Sequence, residues 1–180
     1  LLGLDFEAAV EVAQAAASAS EDGEACSAAN DNAPGQVVVS GHKAAVERAI
    51  GIAAERGAKR SVLLPVSAPF HCPLMQPAAD EMAEALAEVT LATPLLPVVA
   101  NVTASQVSDP ETIRDLLVRQ VTGTVRWRES VLYMKNQGVD TLVELGAGKV
   151  LSGLVRRIDR ELSAIAAGTP AEIEAMLKTL

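Results

Sequence analysis

The segment SAPFHCPLM, residues 67–75, contains the chain's best candidate for acid–base chemistry, His71. An imidazole can accept and return a proton near neutral pH, which is what a general base must do. The segment follows an apolar run that predicts a strand, and Pro69 stiffens the loop before the histidine. A histidine in an apolar loop can also be a hydrogen-bonded structural residue. The residues alone leave both interpretations of His71 open.

Few residues along the chain could work with this imidazole. Cys72 is adjacent and would suggest a Cys–His enzyme, but neighbouring side chains of an extended loop point apart. No G-x-S-x-G elbow occurs, because Ser40 in VSGHK and Ser152 in LSGLV lack the flanking glycines. Two histidines and two cysteines without ligand spacing predict neither a metal site nor another cofactor. We interpret His42, which follows Gly41, as a solvated residue at a helix start.

Two glycine-bearing turns are further candidates for ligand contact. NAPGQ, residues 32–36, could bring Asn32 and backbone amides close to a ligand, or it could simply be the turn between two strands. ELGAGKVLSGL places Gly146 and Gly148 between a predicted strand and a predicted helix, where N–H groups are free. It is not a phosphate-binding P-loop, because the glycines are too close together. A turn that serves packing explains it equally well.

Composition restricts the class of protein. A chain of 180 residues that is 49% hydrophobic can bury a core in one domain or in two small ones. A net charge of −8 argues against nucleic acid as a partner, and no apolar run is long enough to cross a membrane. The two isolated cysteines favour a reducing, cytoplasmic location. The sequence shows no signal peptide and starts abruptly, as though something precedes it.

Hydrophobic periodicity divides the chain into two halves near Val66. The pattern of the first half predicts the end of a strand and then a helix that begins after Asp5. It further predicts strands at 24–30 and 36–40, a helix over 42–56 and a strand over 59–66. That order is the ferredoxin-like split βαβ pattern with its first strand largely missing. In the second half, helices alternate with strands at 93–104, 140–146 and 163–167, which predicts a mainly parallel sheet. We read the apolar stripe from Leu74 to Val89, which contains Met75 and Met82, as core.

Five blocks of the sequence, taken together, resemble the malonyl-CoA:acyl-carrier-protein transacylase family of fatty-acid synthesis. The blocks are NAPGQVVVSGHKAAVERA, LLPVSAPFHCPLMQPAA, PVVANVTA, IRDLLVRQ followed by VRWRESV, and ELGAGKVLSGL. They occur in family order and cover essentially the whole chain. The histidine block and the E-L-G-x-G-K-V-L block are the most specific.

The resemblance implies a role for each candidate site residue. In this family a serine in a G-H-S-x-G-E elbow attacks malonyl-CoA with help from a histidine, and the acyl group then passes to the phosphopantetheine thiol of acyl carrier protein. His71 matches that histidine, and Gln120 matches the position that orients the imidazole. Asn32 matches a cleft-facing turn, and Phe70 resembles the malonyl-selecting version of the acyl pocket. The implied partners are malonyl-CoA and acyl carrier protein.

The chain also departs from the family pattern. It contains no G-H-S-x-G-E segment, no early G-Q-G-S-Q motif, and not the arginine that grips the malonyl carboxylate. We therefore expect a C-terminal portion: an α/β fold with a ferredoxin-like small subdomain at 1–66 and the later part of an α/β-hydrolase-like large subdomain at 67–180. Alone, such a chain is expected to be inactive. A non-catalytic ferredoxin-like binding module, with His71 structural, is the alternative.

Charge is unevenly distributed, which bears on the choice of partner. Residues 111–160 hold nine Lys or Arg against six Asp or Glu. Acyl carrier protein is acidic in the resembled family, so this excess is a candidate docking surface, although ordinary surface helices would explain it too. The cations that we single out for docking are Arg126, Arg128, Lys135, Arg156 and Arg157.

Overall fold

The structure is a computed structural model that describes residues 1–20 and 23–178. In chain order the elements are α1 (Phe6–Ser18), β1 (Cys26–Ala33), β2 (Gln36–Gly41), α2 (Lys43–Glu55), a 3-10 turn (Pro73–Met75), α3 (Gln76–Ala87), β3 (Val98–Ala100), β4 (Ser105–Val107), α4 (Pro110–Thr122), α5 (Trp127–Asn136), β5 (Thr141–Leu145), α6 (Val150–Ile158), β6 (Ser163–Ala167) and α7 (Pro170–Leu177). The chain forms two compact units, Leu1–Ser130 and Val131–Leu180. The subdomain boundary predicted near Val66 does not coincide with the division between these two units, and it stays a prediction.

The first unit begins with an antiparallel pair of strands, β1 and β2, backed by α1 and α2. The core between the two helices consists mostly of alanine, whose small side chain lets helices approach closely. The alanines that share this core are Ala13, Ala16, Ala45, Ala49 and Ala53. Asp5 accepts a hydrogen bond from the Ala8 amide and so caps α1, as its position in the sequence predicts. The helices and strands predicted over 5–56 are confirmed.

The strand predicted over 59–66 is wrong. Only Arg60 forms a bridge, to Leu2, and residues 61–66 have no regular structure. A strand exists only when its backbone groups pair with a neighbour, and apolar periodicity cannot reveal whether a neighbour is present. The apolar residues of this segment are consequently exposed, with Leu63 at 60% and Val66 at 61%.

The predicted long strand over 93–104 is shorter than expected. Only Val98–Ala100 forms β3, which turns back through a tight bend and pairs antiparallel with β4, a strand that the sequence did not predict. The apolar stripe on α3 is not core in this chain, since Met82 and Val89 are 41% and 45% exposed. A periodic pattern shows which face of a helix is apolar, but not what covers it.

Residues 124–128 run beside β1 and attach it to the start of α5. Val125 exchanges main-chain hydrogen bonds with Ala29 and Asp31, and the Thr124 hydroxyl donates to the Ala28 carbonyl. The Arg128 guanidinium donates to both carboxylate oxygens of Asp31, at 2.8 to 3.0 Å, and Asp31 is 1% exposed. This hydrogen bonding raises the pKa of Arg128 above its ordinary value. The pair satisfies the charge of a carboxylate that water does not reach.

The second unit is a parallel β5–β6 pair with α6 as its crossover helix, as the alternation of elements predicts. Thr169 and Glu172 form the predicted capping box at the start of α7. That helix ends at Leu177, and residues 179 and 180 of the predicted helix lie outside the described residues. Across residues 1–20 and 23–178, no helix combines the length and the apolar character that crossing a membrane requires.

Candidate active site

His71 has an unusual backbone conformation. Its φ angle is +57°, in the left-handed region that side chains with a Cβ rarely adopt. Such a conformation costs on the order of 1 kcal/mol, so other interactions must hold it. One of them is visible: His71 Nδ1 lies 2.9 Å from the main-chain carbonyl oxygen of Gln120. Strain of this kind is concentrated at functional sites, which favours the catalytic interpretation of His71 over the structural one.

The Gln120 carbonyl is available because α4 ends two residues later. The Gly123 amide donates to the Arg119 carbonyl, and the next carbonyl, that of Gln120, accepts a hydrogen bond from the imidazole. The Gln120 side chain is used elsewhere, since its Nε2 donates to the Gly123 carbonyl at 2.9 Å. Gln120 therefore contacts His71 through its backbone, a role that its side-chain chemistry does not reveal.

This contact determines the chemistry that the ring can perform. A carbonyl only accepts, so Nδ1 must carry the hydrogen, and the neutral ring then has its lone pair on Nε2. No hydrogen bond to Nε2 is formed by the part of the chain that the structure describes. The arrangement is suited to a base that takes a proton at Nε2 and later returns it.

His71 lies on an open groove of about 920 Å³. Phe70 and Asn32 line the same groove, so three of the four predicted site residues come together there. Phe70 is 47% exposed. Asn30 also lines the groove, and the sequence analysis missed it. A signal for it existed, because a residue two positions before Asn32 on a strand belongs to the same face.

Cys72 does not form a catalytic pair with the histidine. Its thiol is fully buried, and Sγ donates to the Pro69 carbonyl at 3.1 Å. A thiol committed to a carbonyl cannot give its proton to the neighbouring ring without breaking that bond. This geometry argues against the Cys–His alternative, in agreement with the expectation that adjacent side chains point apart.

The second cysteine, Cys26, is also buried, and burial raises the pKa of its thiol to about 11. At pH 8 only about one thiol in a thousand would then be the reactive thiolate. We expect iodoacetamide to leave Cys26 unmodified in the folded chain, whereas a Glu55→Cys variant, with its exposed thiol, reacts within minutes. Peptide mass mapping after quenching measures both. Rapid native-state labelling of Cys26 would show that the thiol is not enclosed as described.

His42 differs from its sequence interpretation. It precedes α2, as predicted, but it is only half exposed, and its Nδ1 accepts a hydrogen bond from the Ala25 amide at 2.8 Å. The His42 amide in turn donates to the Ala25 carbonyl. The ring therefore ties the entry of β1 to the start of α2, and we assign it a structural role.

The two glycine-bearing turns have different roles. NAPGQ forms the β1–β2 hairpin connection, and Gly35 has the positive φ of +69° that a tight turn requires. In ELGAGKVLSGL the Glu144 carboxylate accepts hydrogen bonds from the Leu151 and Ser152 amides and the Ser152 hydroxyl. The two Ser152 bonds lower the pKa of Glu144. The start of α6 is thus capped by the chain's own carboxylate, which favours the packing interpretation of this turn.

Most of the predicted docking cations already have carboxylate partners. Arg126 pairs with Glu129, Arg128 with Asp31, and Lys135 with both Asp159 and Glu161. Arg156 makes a long contact, 3.5 Å, to the Ala164 carbonyl. Arg156 and Arg160 line a shallow hollow of about 560 Å³ together with residues 162–165. Within residues 1–20 and 23–178, no group of three or more His, Cys, Asp or Glu side chains is placed to hold a metal ion.

Comparison with known proteins adds an independent observation. Residues 6–173 match the acyl transferase domain family. The chain is 47% identical over 178 residues to the malonyl CoA-acyl carrier protein transacylase of Escherichia coli K12, which covers 99% of this chain and 56% of the relative. The chain therefore spans little more than half the length of the curated relatives that it matches.

Solved structures agree with the sequence match. An acyl-carrier-protein S-malonyltransferase from Bartonella henselae superposes with a TM-score of 0.92 at 50% identity, covering 99% of this chain and 56% of that one. A complex of a type II PKS acyl-carrier protein with its malonyl-transacylase superposes at 0.94 and 42% identity, covering 100% of this chain and 57% of that one. The mixed α/β fold described above is that of these structures.

Proposed function

The chain belongs to the acyl transferase domain family, and we propose that it carries the acid–base part of a malonyl-CoA:acyl carrier protein transacylase of fatty-acid synthesis. One observation carries the proposal: the hydrogen bond between His71 Nδ1 and the Gln120 carbonyl, which leaves Nε2 to exchange a proton beside the groove. The names of the relatives supply the substrate class. The serine nucleophile is contributed by family sequence that this chain does not contain.

The proposed reaction has two matching halves. In the first, Nε2 of His71 takes the serine proton as the serine oxygen bonds to the malonyl carbonyl carbon. The carbon–sulfur bond to coenzyme A then breaks, and the imidazolium returns the proton to the departing thiolate. In the second half, His71 takes the proton of the phosphopantetheine thiol as its sulfur attacks the malonyl ester, and returns that proton to the serine oxygen.

The supporting residues have distinct tasks in this proposal. The Gln120 carbonyl holds the ring in one tautomer and stabilises its positive form, the task of aspartate in a Ser–His–Asp triad. Phe70 and Asn32 line the groove, where the first limits the size of the acyl group and the second offers an amide to a polar substrate atom. The chain alone has a base without a nucleophile, so we expect no turnover from it. A cytoplasmic location stays a prediction.

The finer fold assignment is also a proposal. Leu2 bridges to Gln36 on one side and to Arg60 on the other, so the first strand's end lies between β2 and the start of the 59–66 segment. The resulting order, with β1 on the far side of β2 and with α1 and α2 packed together, supports a ferredoxin-like small subdomain. The parallel β5–β6 pair supports the later part of an α/β-hydrolase-like subdomain.

The experiment that tests the function restores the missing part. We would fuse the portion of the Escherichia coli relative that this chain does not span to Leu1, incubate the fusion with malonyl-CoA, and measure its intact mass. We expect one malonyl group per molecule and none on a fusion whose nucleophilic serine is replaced by alanine. A folded fusion that stays unmodified while the parent relative is acylated would contradict the proposal.

Docking of an acidic carrier protein would use Arg156 and Arg160, for which the described part of the chain shows no carboxylate partner. We expect a double variant, Arg156→Glu with Arg160→Glu, to slow transfer from the malonyl-enzyme to the carrier roughly tenfold at low salt. The difference should shrink as salt is raised, because screening weakens attraction between exposed charges. Single-turnover transfer rates at two ionic strengths measure it. The matched control is Arg119→Glu on α4, and equal rates for both variants would exclude this docking surface.

A further inference from the structure

Asp31 lies between Asn30 and Asn32 on β1, and its carboxylate is paired with the Arg128 guanidinium. Arg128 Nε lies 3.0 and 2.9 Å from the two carboxylate oxygens, and Nη2 lies 2.8 Å from Oδ2. Asp31 is 1% exposed, whereas Asn30 and Asn32 line the groove of His71. Two groove residues thus flank a buried charge that the proposed proton transfers do not use.

The strand β1 is irregular where it lines the groove. Its register with β2 shifts between Ala28 and Asn30 and again between Asp31 and Ala33. The second shift places Asn32 at an extra position relative to β2. An extra residue interrupts the ladder and redirects a side chain, and such bulges are frequent beside active sites. The direction of the Asn32 amide therefore depends on contacts besides the β1–β2 ladder.

Residues 124–128 provide such contacts along the other edge of β1. The Val125 amide donates to the Ala29 carbonyl, and the Val125 carbonyl accepts from the Asp31 amide, both at 2.9 Å. Arg128 adds its contact with both oxygens of the Asp31 side chain. The residue that precedes Asn32 is thus fixed through its backbone and through its side chain by one short segment.

The base is held by a separate hydrogen bond that begins in the same region of the chain. The Gln120 carbonyl accepts a hydrogen bond from His71 Nδ1, and the Gln120 side chain donates to the Gly123 carbonyl. Neither of these bonds involves Arg128. Weakening the Arg128 contact should therefore loosen the groove wall while the imidazole keeps its partner.

We propose that Arg128 is a positioning residue for substrate binding, because its ion pair with Asp31 fixes the directions in which Asn30 and Asn32 present their amides to bound malonyl-CoA. The inference rests on the proposed function, which supplies the substrate. A planar guanidinium suits this task, since its donors meet two carboxylate oxygens at once and fix an orientation as well as a distance. A lysine would offer the charge without that geometry.

The informative variant is Arg128→Lys, because it leaves a positive charge beside the buried carboxylate. In the fusion that restores the missing part, we expect the malonyl-CoA concentration that half-saturates acylation to rise about tenfold. The maximal acylation rate should change less than about twofold, since the base keeps its partner. Loss of folded protein alone would lower the maximal rate and leave the half-saturating concentration unchanged. Arg126→Lys, in the more exposed pair with Glu129, is the matched control and should change neither quantity.

A second set of variants shows whether Arg128 acts through the two amides. When Asn30 and Asn32 are both replaced by alanine, the further change Arg128→Lys should raise the half-saturating concentration less than about twofold. The reason is that the groups that Arg128 positions are then absent, so the effects are not additive. A full tenfold effect of Arg128→Lys in the alanine background would contradict the positioning role.

Hydrogen exchange in the 180-residue chain, followed by NMR, tests the structural part of the inference without turnover. In Arg128→Lys we expect the amides of Asp31 and Val125 to exchange about tenfold faster. The amide of Ala49, in the core between α1 and α2, should keep its exchange rate. The ring of His71 should keep its hydrogen on Nδ1.

The outcomes separate this inference from the proposed function. Unchanged exchange at Asp31 and Val125 would show that Arg128 does not hold the wall, and an equal increase at Ala49 would show a general loss of stability. Either result overturns the inference and leaves the chemistry of His71 intact. A fusion that forms no malonyl-enzyme in any variant would contradict the proposed function instead, and the exchange rates would still decide whether Arg128 holds the wall.

Discussion

Replacing His71 by alanine in the completed domain is expected to slow formation of the malonyl-enzyme by a factor of about 100 to 10,000, the usual contribution of a positioned general base. The acid limb of the pH–rate profile should disappear in the same variant, because that limb reports protonation of the base. Stopped-quench measurement of acyl-enzyme against pH gives both quantities. The serine would remain, so a small residual rate is expected.

The controls separate chemistry from folding. Alanine at φ +57° adds backbone strain, so a His71→Asn variant, whose side chain tolerates the left-handed region, should lose as much activity with less loss of stability. His42→Asn removes the other histidine, which ties β1 to α2, and should leave the acylation rate of the folded fraction unchanged. If His71→Asn retained the parental rate, the acid–base role would be wrong.

Replacing Arg128 by alanine is expected to lower the free energy of unfolding by about 3 to 5 kcal/mol, because the Asp31 carboxylate would be left buried without its partner. The reverse change, Asp31→Ala, should cost less, since the Arg128 side chain is 27% exposed and can turn towards water. Chemical denaturation of the three variants, including the double substitution, measures the asymmetry. The double variant should be more stable than Arg128→Ala alone.

A neighbouring pair at the start of α5, Arg126 with Glu129, provides the matched control. Arg126 and Glu129 are 37% and 35% exposed, so Arg126→Ala should cost no more than about 1 kcal/mol. If Arg126→Ala and Arg128→Ala lowered the free energy of unfolding equally, burial of Asp31 would not explain the contribution of its ion pair to stability. The prediction also bears on function, because the pair fixes the strand that carries Asn30 and Asn32.

Local signals in the sequence were sufficient for most helices. Asp109 followed by Pro110 predicted the start of α4, and Thr169 with Glu172 predicted that of α7, because capping depends on residues a few positions apart. Strands were harder. The 59–66 segment has a strand-like pattern but lacks neighbours, and β4 pairs with β3 after a bend that the pattern did not indicate. Pairing is a long-range property that periodicity does not contain.

The candidate site was predictable only in part, because some of its contacts also join residues that are far apart in the sequence. His71 could be singled out by its chemistry, and Phe70 and Asn32 by the family resemblance. The backbone role of Gln120 could not be read from the sequence, since any residue has a carbonyl and only the end of α4 frees this one. For the docking cations, the sequence suggested more than the fold provides. Arg126, Arg128 and Lys135 look available in the sequence, but in the folded chain each of them pairs with a carboxylate.

The most direct test of the central claim is the protonation pattern of the His71 ring in the 180-residue chain. Two-bond proton–nitrogen NMR correlation distinguishes the tautomers of a neutral imidazole. The hydrogen bond to Gln120 predicts a hydrogen on Nδ1 and none on Nε2. The Gln120→Ala variant keeps the carbonyl but loses the side-chain hydrogen bond to the Gly123 carbonyl, so its spectrum should show broadened signals or a mixture of the two tautomers. A neutral ring that carries its hydrogen on Nε2 would contradict the account, because that nitrogen could not accept a proton.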